Sequence, residues 1–352
     1  MVQFGHDQAP ALKILCTNWA SADDADLERA RFPGVELIVQ RTPADPTGFL
    51  PVDLCSVADA VINYSATKPL GRPAPAFTSC KIAVRSGVGF DNLDLEGFGR
   101  LGIPVCNVPD YGTTEVADHA LALMLALTRG TASYDEALRN EDAWKFTRAP
   151  LVRRLRAATF GIVGLGRIGF AAARRAAAFD MRVVFFDPYL SNGVELSTGY
   201  ERVHSLGDLM AASDVVSIHA PLNTETRDMV GDAALSAAKP GLILVNTARG
   251  PIADLDAVAR ALRDGRLGGA ALDVLPIEPA DPSHPLIRAW KDREKWLDGR
   301  LILTPHAAFY SPASMVDLRL KSIEVVLNLL QEGRLENCVN RSYLAVRESQ
   351  VT

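Results

Sequence analysis

The sequence predicts a doubly wound parallel α/β fold, and three observations carry that expectation. Short apolar runs alternate with helical stretches along most of the chain. One such run, Phe160 to Val163, passes directly into Gly164, Gly166 and Gly169, a G-x-G-x-x-G that opens an Ala/Arg-rich helical stretch from Ile168 to Phe179. The next apolar run, Arg182 to Phe186, ends on an acid, Asp187. Three glycines alone are as readily an ordinary turn. Set between a strand and a helix, with an acid closing the next strand, they meet the needs of a dinucleotide site. Gly164 permits the tight turn, Gly166 lets the backbone approach a pyrophosphate, and Gly169 lets helix and strand pack closely. The free N–H groups of the helix start then face the phosphates. Asp187 can accept from the adenosine ribose hydroxyls and would repel a 2′-phosphate, so NAD is favoured over NADP.

Composition limits the alternatives. A chain of 352 residues suits two domains, and 48% hydrophobic with 22% charged residues is a globular balance. A net charge of −5 gives no basic footprint for nucleic acid, and no Lys/Arg cluster points to a membrane surface. Residues 1–10 are polar without a signal-peptide pattern. The longest apolar helix candidate, Val116 to Leu127, is interrupted by Asp118 and His119 and is too short to span a bilayer. Five scattered cysteines without a C-x-x-C pair suggest reduced thiols in a cytoplasmic protein and no metal site.

In chain order, Leu12–Cys16, Val35–Val39, Ala60–Tyr64 and Lys81–Arg85 are expected strands, with a helix in Ser21–Arg31 and a turn-rich stretch at Pro43–Pro51. The loop Ser86-Gly87-Val88-Gly89 follows a strand and can offer amides to a small anion, although a tight turn explains it equally. After the strand Ile103–Val108, Thr113 and Thr114 are expected to cap a buried helix reaching about Thr128 and crossing between domains. Tyr134–Arg156, with Trp144, reads as surface or subunit contact. Beyond Asp187 and Pro188, a helix at Leu206–Ala212 precedes the strand Asp214–His219, which Pro221, Leu222 and Asn223 end. Ala234–Ala238, the strand Leu242–Asn246, the helix Asp254–Arg263 and the strands Gly269–Val274 and Leu301–Leu303 continue the alternation.

Ligands of such sheets sit beyond the strand carboxyl ends, and three residues lie there. Arg249 follows Leu242–Asn246, Glu278 follows the strand ending near Val274, and His306 follows Leu301–Leu303. An Arg can bind a carboxylate and polarise a neighbouring oxygen, a His can carry a proton near neutral pH, and a Glu can orient the imidazole and favour its protonated form. Singly, each has a plainer reading as a solvated charge, an exposed loop acid or a packed histidine. Together at one sheet edge they suffice for hydride transfer to or from a hydroxy acid. His6, His119, His204, His219 and His284 have no such company.

These stretches carry a resemblance. Val84 to Asn92, Val105 to Pro109, Gly161 to Gly169, Phe186 to Leu190, Val245 to Gly250, Gly269 to Val274, Thr304 to Ala308 and Asn337 to Asn340 resemble the D-2-hydroxyacid dehydrogenases over nearly the whole chain. Within that family they look most like the branch of the C-terminal-binding-protein corepressors and their bacterial relatives. The resemblance implies a Rossmann-type NAD domain, residues 112–309, inserted into a smaller flavodoxin-like α/β substrate domain made of residues 1–111 and 310–352. It implies a homodimer, with Arg249, Glu278 and His306 as the catalytic set. It places Thr113, Gly164, Gly166, Arg167, Ile168, Gly169, Asp187, Pro188, Ala220, Pro221, Asn223, Thr247, Ala248, Arg249, Asp273 and His306 at NAD, with Asp273 facing the nicotinamide carboxamide. Ser86, Gly87, Val88, Arg249, His306 and Phe309 would meet the substrate. Phe309 stands where the animal corepressors have Trp, and the stretch from Glu278 to His306 is longer than in compact members. The implied activity is NAD-dependent interconversion of a D-2-hydroxy acid and its 2-keto acid in the cytoplasm. The alternative is an NAD(H)-sensing dimeric scaffold that binds a peptide.

Overall fold

A computed structural model describes residues 11–19, 21–41, 52–64, 77–141 and 144–344. The turn-rich stretch 43–51, residues 65–67 and His6 lie outside the described residues. The chain forms two compact units, one of residues 1–111 with 311–352 and one of residues 112–310.

The first unit runs β1 (Leu12–Trp19), α1 (Asp26–Arg31), β2 (Val35–Arg41), α2 (Val52–Val57), β3 (Ala60–Asn63), β4 (Ile82–Arg85), α3 (Leu95–Arg100) and β5 (Val105–Asn107). The strands pair in parallel in the order β2-β1-β3-β4-β5, which is the flavodoxin-like arrangement. The second unit holds α4 (Thr113–Arg129), α5 (Thr131–Glu141), β6 (Thr159–Val163), α6 (Arg167–Ala177), β7 (Arg182–Phe186), α7 (Val194–Thr198), β8 (Glu201–Arg202), α8 (Leu206–Ala212), β9 (Val215–Ile218), α9 (Asp232–Ser236), β10 (Leu242–Asn246), α10 (Leu255–Arg263), β11 (Leu267–Leu272), α11 (Pro285–Lys291) and β12 (Leu301–Leu303). Its parallel sheet has the order β12-β11-β10-β9-β6-β7-β8, the Rossmann order with one added edge strand. The chain then returns to the first unit as α12 (Pro312–Glu332) and α13 (Arg341–Leu344).

Period-two alternation within the strands builds both cores. In β1, Ile14 and Cys16 join Leu318, Ile323 and Val326 of α12 on one face, while Leu15 joins Cys55 of α2 and Phe98 of α3 on the other. In β6, Phe160 and Ile162 meet α4 and α6, while Val163 belongs to the layer holding Leu209, Met210 and Leu262. Strands buried on both faces read as continuous apolar runs, as covered parallel sheets require.

Two expectations, the cap of α4 and the start of β11, need correction. Gly112, not a threonine, is the N-cap of α4, and no side chain caps it. Thr113 is the first helical residue, and the Thr114 hydroxyl donates to Glu115 instead. β11 starts two residues earlier than expected, at Leu267, because Gly268 gives no apolar signal and separates Leu267 from the expected start. Gly268 and Gly269 let the strand lie close to its neighbours. Cβ atoms there would stand 2.7 Å from Gly241 O and 2.9 Å from Arg300 O. The polar stretch 134–156 contributes to α5, and beyond that helix Trp144 and Phe146 are each 88% exposed. The segment after Glu278 is packed structure: Leu286, Ile287 and Ala289 of α11 are buried, and Arg263 lies 4.4 Å over the Trp296 ring. No described helix is long and apolar enough to cross a membrane. All five cysteines are free thiols, and burial pushes Cys16, Cys80 and Cys106 up to about 12, which makes them inert as nucleophiles at neutral pH.

Candidate active site

β6 ends in a turn at Gly164, whose φ of 85° favours glycine. A Cβ there would sit 3.0 Å from the backbone of Ala220, the second residue after β9. Strand order reverses between β6 and β9, so this contact marks the switch point at which such sheets take ligands. A Cβ on Gly166 would meet nothing within 4 Å, whereas one on Gly169 would lie 2.1 Å from Gly164 O. The first glycine makes the turn, the second leaves room, and the third seats α6 on β6. The opening amides of α6 lack helical acceptors and suit an anion.

At the end of β7, Asp187 Oδ2 accepts from Leu165 N and Oδ1 from Tyr189 N, each at 3.0 Å. Each oxygen retains acceptor capacity for a ribose diol. Arg202 pins the following loop by donating to Asp187 O and Leu190 O, both at 3.2 Å. Beyond β9, Thr226 Oγ1 donates to Pro221 O at 2.6 Å, and Asn223 Oδ1 accepts from the amides of Glu225 and Thr226 at 2.9 Å each. Asn223 thus shapes its own turn. His219 has a partner the sequence did not reveal, Ser217 Oγ at 2.9 Å, and burial pushes its imidazole down to about 4. It adds no charge at neutral pH. Thr247, one residue past β10, buries a hydroxyl that has no partner among the described residues. Open space at Gly166, paired acceptors at Asp187 and an unspent hydroxyl at Thr247 fit a dinucleotide.

β10, β11 and β12 are sheet neighbours, so the residues that follow them collect at one edge. Asn246 binds the next turn on both sides: Nδ2 donates to Arg249 O at 2.9 Å, and Oδ1 accepts from Ala248 N at 3.0 Å. Gly250 presses against the Leu275–Pro276 peptide so closely that a Cβ would lie 1.9 Å from Leu275 C. That approach brings the turn bearing Arg249 against the turn leading to Glu278. Glu278 Oε1 accepts from Leu275 N at 3.0 Å, and its Oε2 meets His306 Nδ1 at 2.7 Å. A carboxylate only accepts, so Nδ1 carries the proton and Nε2 is left for another molecule.

His306 adopts a φ of 53°, a conformation uncommon for a non-glycine residue. Strain of about 1–3 kcal/mol persists only where the surroundings over-determine it. Here the His306 amide donates to Asp273 O at 2.8 Å. The Asp273 carboxylate, on a residue 2% exposed, accepts from Ala307 N and Ala308 N at 2.9 Å each and from Thr304 Oγ1 at 2.6 Å. The resemblance places Asp273 at the nicotinamide, and in the structure these oxygens hold the turn that carries His306. Phe309 stands edge-on to the imidazole, ring centres 6.1 Å apart.

In the first unit, Gly87 has a φ of 146°, and a Cβ there would run into the guanidinium of Arg85. Gly87 O accepts from Val108 N at 3.0 Å and Val88 O from Asn107 Nδ2 at 2.7 Å, while the Ser322 hydroxyl, whose one proton goes to Leu318 O at 2.7 Å, meets Ser86 Oγ at 2.9 Å as acceptor. The carbonyls of this loop are thereby tied to β5 and its continuation. Among the described residues no acceptor takes the amides of Gly87 or Val88.

A reversed parallel sheet, a glycine turn at its switch point, an acid on the next strand and an Arg, Glu and His at the far strand ends define a dinucleotide-dependent oxidoreductase. The model of the D-isomer specific 2-hydroxyacid dehydrogenase NAD-binding domain matches residues 121–308. A glyoxylate reductase of Aeropyrum pernix is 37% identical over 273 residues, 76% of this chain and 78% of that protein. A D-3-phosphoglycerate dehydrogenase of Archaeoglobus fulgidus is 34% identical over 80% of this chain, which spans about half (51%) of that relative. The crystal structure of an Aquifex aeolicus D-lactate dehydrogenase complexed with NAD and lactic acid superposes with a TM-score of 0.76 at 26% identity, covering 91% of this chain and 96% of that one. The chain belongs to the D-2-hydroxyacid dehydrogenases and is an NAD-dependent oxidoreductase of that family.

Sequence reasoning passed over Leu165, Asn246, Gly250, Thr304 and His119. The first three are legible only once the turns are built. His119 Nε2 lies 3.2 Å from Thr304 Oγ1 and 3.5 Å from Asp273 Oδ1, across 185 residues of sequence in the case of Thr304.

Proposed function

We propose that the chain interconverts a D-2-hydroxy acid and its 2-keto acid, with His306 carrying the proton, Glu278 supporting it and Arg249 anchoring the substrate. The single observation behind this reading is the 2.7 Å contact between His306 Nδ1 and Glu278 Oε2 at the sheet edge that also bears Arg249. NAD(H), when bound, supplies or accepts the hydride. The Arg249 guanidinium pairs with the substrate carboxylate and polarises the C2 oxygen. His306 Nε2 delivers a proton to that oxygen during reduction and removes it during oxidation. Glu278 holds the ring through Nδ1 so that Nε2 stays aimed outward.

The cofactor is held by Gly164, Gly166, Arg167, Ile168 and Gly169 at the pyrophosphate and by Asp187 and Pro188 at the ribose. Thr113, Ala220, Pro221, Asn223, Thr247, Ala248 and Asp273 complete its surroundings. Residues 112–309 serve as the NAD domain, and residues 1–111 with 310–352 as the substrate domain. Ser86, Gly87 and Val88 there offer amides to the substrate carboxylate, and Phe309 flanks the substrate side chain. The protein acts in the cytoplasm, in keeping with its five free thiols, four of them buried.

The deciding test follows NADH absorbance as purified protein meets glyoxylate and a graded panel of larger 2-keto acids. Turnover supports the reading. Silence across the panel with NADH still bound would turn the assignment toward the cofactor-sensing scaffold. Asp187→Ala should weaken NADH binding about tenfold or more, since hydrogen bonds to a charged acceptor are worth roughly 1.5–3 kcal/mol each, and should narrow the preference over NADPH. An unchanged preference would mean that the ribose is read elsewhere.

The chain acts as a homodimer, and its exposed Trp144 and Phe146 are apolar surface suited to cover by a second copy. Sedimentation should show a dimer that Trp144→Ser with Phe146→Ser weakens. A monomeric wild-type protein would end this part of the reading.

A further inference from the structure

We propose that His119 is a positioning residue for the turn that carries His306; this rests on the catalytic reading above. His119 lies on α4, the first helix of the second unit, and keeps 27% of its side chain exposed. Thr304 has a single hydroxyl proton, and at 2.6 Å from Asp273 Oδ1 that proton is given to a carboxylate that cannot donate. The contact between Thr304 Oγ1 and His119 Nε2, at 3.2 Å, is therefore made with the hydroxyl accepting and the imidazole donating. A directed chain results, from His119 to Thr304 to Asp273, whose carboxylate also receives the amides of Ala307 and Ala308.

This chain closes a gap in the support of His306. Asp273 fixes the backbone after the imidazole through its side chain and the imidazole's own amide through its carbonyl. The remaining side of the network, the Thr304 hydroxyl that precedes His306, is oriented from α4 alone among the described contacts. Networks of this kind polarise one another and hold a single geometry when every member is satisfied. Without His119 the Thr304 hydroxyl loses its donor, and the strained turn gains freedom where displacements of about 1 Å can cost on the order of 10²-fold in rate.

The test compares His119→Leu, which removes the donor, with His119→Gln, whose amide can still reach Thr304. His119→Leu should lower kcat about tenfold, with the keto-acid KM and the NADH Kd nearly unchanged, and His119→Gln should restore most of the loss. In parallel, the NMR signal of the His306 Nδ1 proton, held by Glu278, should move or broaden in the Leu variant and return in the Gln variant. Turnover near wild type in His119→Leu with an unmoved imidazole signal would overturn the proposal, as would a Gln variant as impaired as Leu. The imidazole signal needs no turnover, so absence of activity on every keto acid would defeat the catalytic reading and still leave the role of His119 decided.

Discussion

Replacing His306 with alanine should lower kcat by on the order of 10³, within the span that a positioned acid–base group contributes, while NADH affinity stays close to wild type. The separation follows from the geometry. The imidazole contacts Glu278 and Phe309, whereas the glycine turn and Asp187 are built on β6 and β7, several strands away in the sheet. Glu278→Gln sharpens the test. Both oxygens of Glu278 accept, one from Leu275 N and one from His306 Nδ1, and a glutamine has only one oxygen to offer. That variant must therefore abandon its own loop or the imidazole, or else donate its amide to Nδ1 and hold the imidazole in the tautomer protonated on Nε2, and its kcat should fall at least about tenfold. Stopped-flow single turnovers separate this from slower product release. Near-wild-type turnover in His306→Ala would remove His306 from the proton-carrying role.

The sequence made some features legible because local chemistry and tertiary role coincide in them. Gly164, Gly166 and Gly169 announce a turn, an open approach and a close packing, and the structure shows each at its own residue. Asp187 reads as the end of a strand, and there it stands. Arg249, Glu278 and His306 were visible as residues after strands, because a parallel sheet sends all such residues to one edge. What stayed hidden depends on partners far along the chain. Nothing near His119 signals Thr304, and nothing near Gly250 signals the Leu275–Pro276 peptide that only a glycine can approach so closely. The early start of β11 was missed for a related reason, since glycines chosen for closeness erase the apolar pattern by which strands are recognised.

The same limit applies to the ion-pair cluster on which the largest stability effect should fall. Arg319 of α12 donates Nε and Nη2 to the two oxygens of Glu28 at 2.7 and 2.6 Å, gives Nη1 to Asp23 Oδ2 at 2.8 Å, and lies 4.9 Å over the Trp19 ring. Glu28 belongs to a stretch that reads as a polar helix, yet its side chain is wholly buried. Arg319→Ala should destabilise the first unit by about 3–5 kcal/mol, because the change strands a buried carboxylate rather than merely losing an attraction. Urea unfolding followed through Trp19 fluorescence, in a background where Trp144, Trp290 and Trp296 are replaced by Phe, measures it, since those three lie in the other unit. Arg319→Met combined with Glu28→Leu should recover much of the loss, as removing both charges leaves nothing unpaired in the core. Acid should shrink the difference between wild type and Arg319→Ala. Burial opposes ionisation of Asp23, but the hydrogen bond and charge of Arg319 outweigh it and hold that carboxyl below its usual range. A depressed carboxyl contributes stability that is present above the unfolded value, about 3.9, and is lost as pH falls through the lower folded one. If Arg319→Ala cost less than about 1 kcal/mol, as for an exposed pair, the cluster would be a surface ornament and the join of α12 to α1 would rest on apolar packing alone.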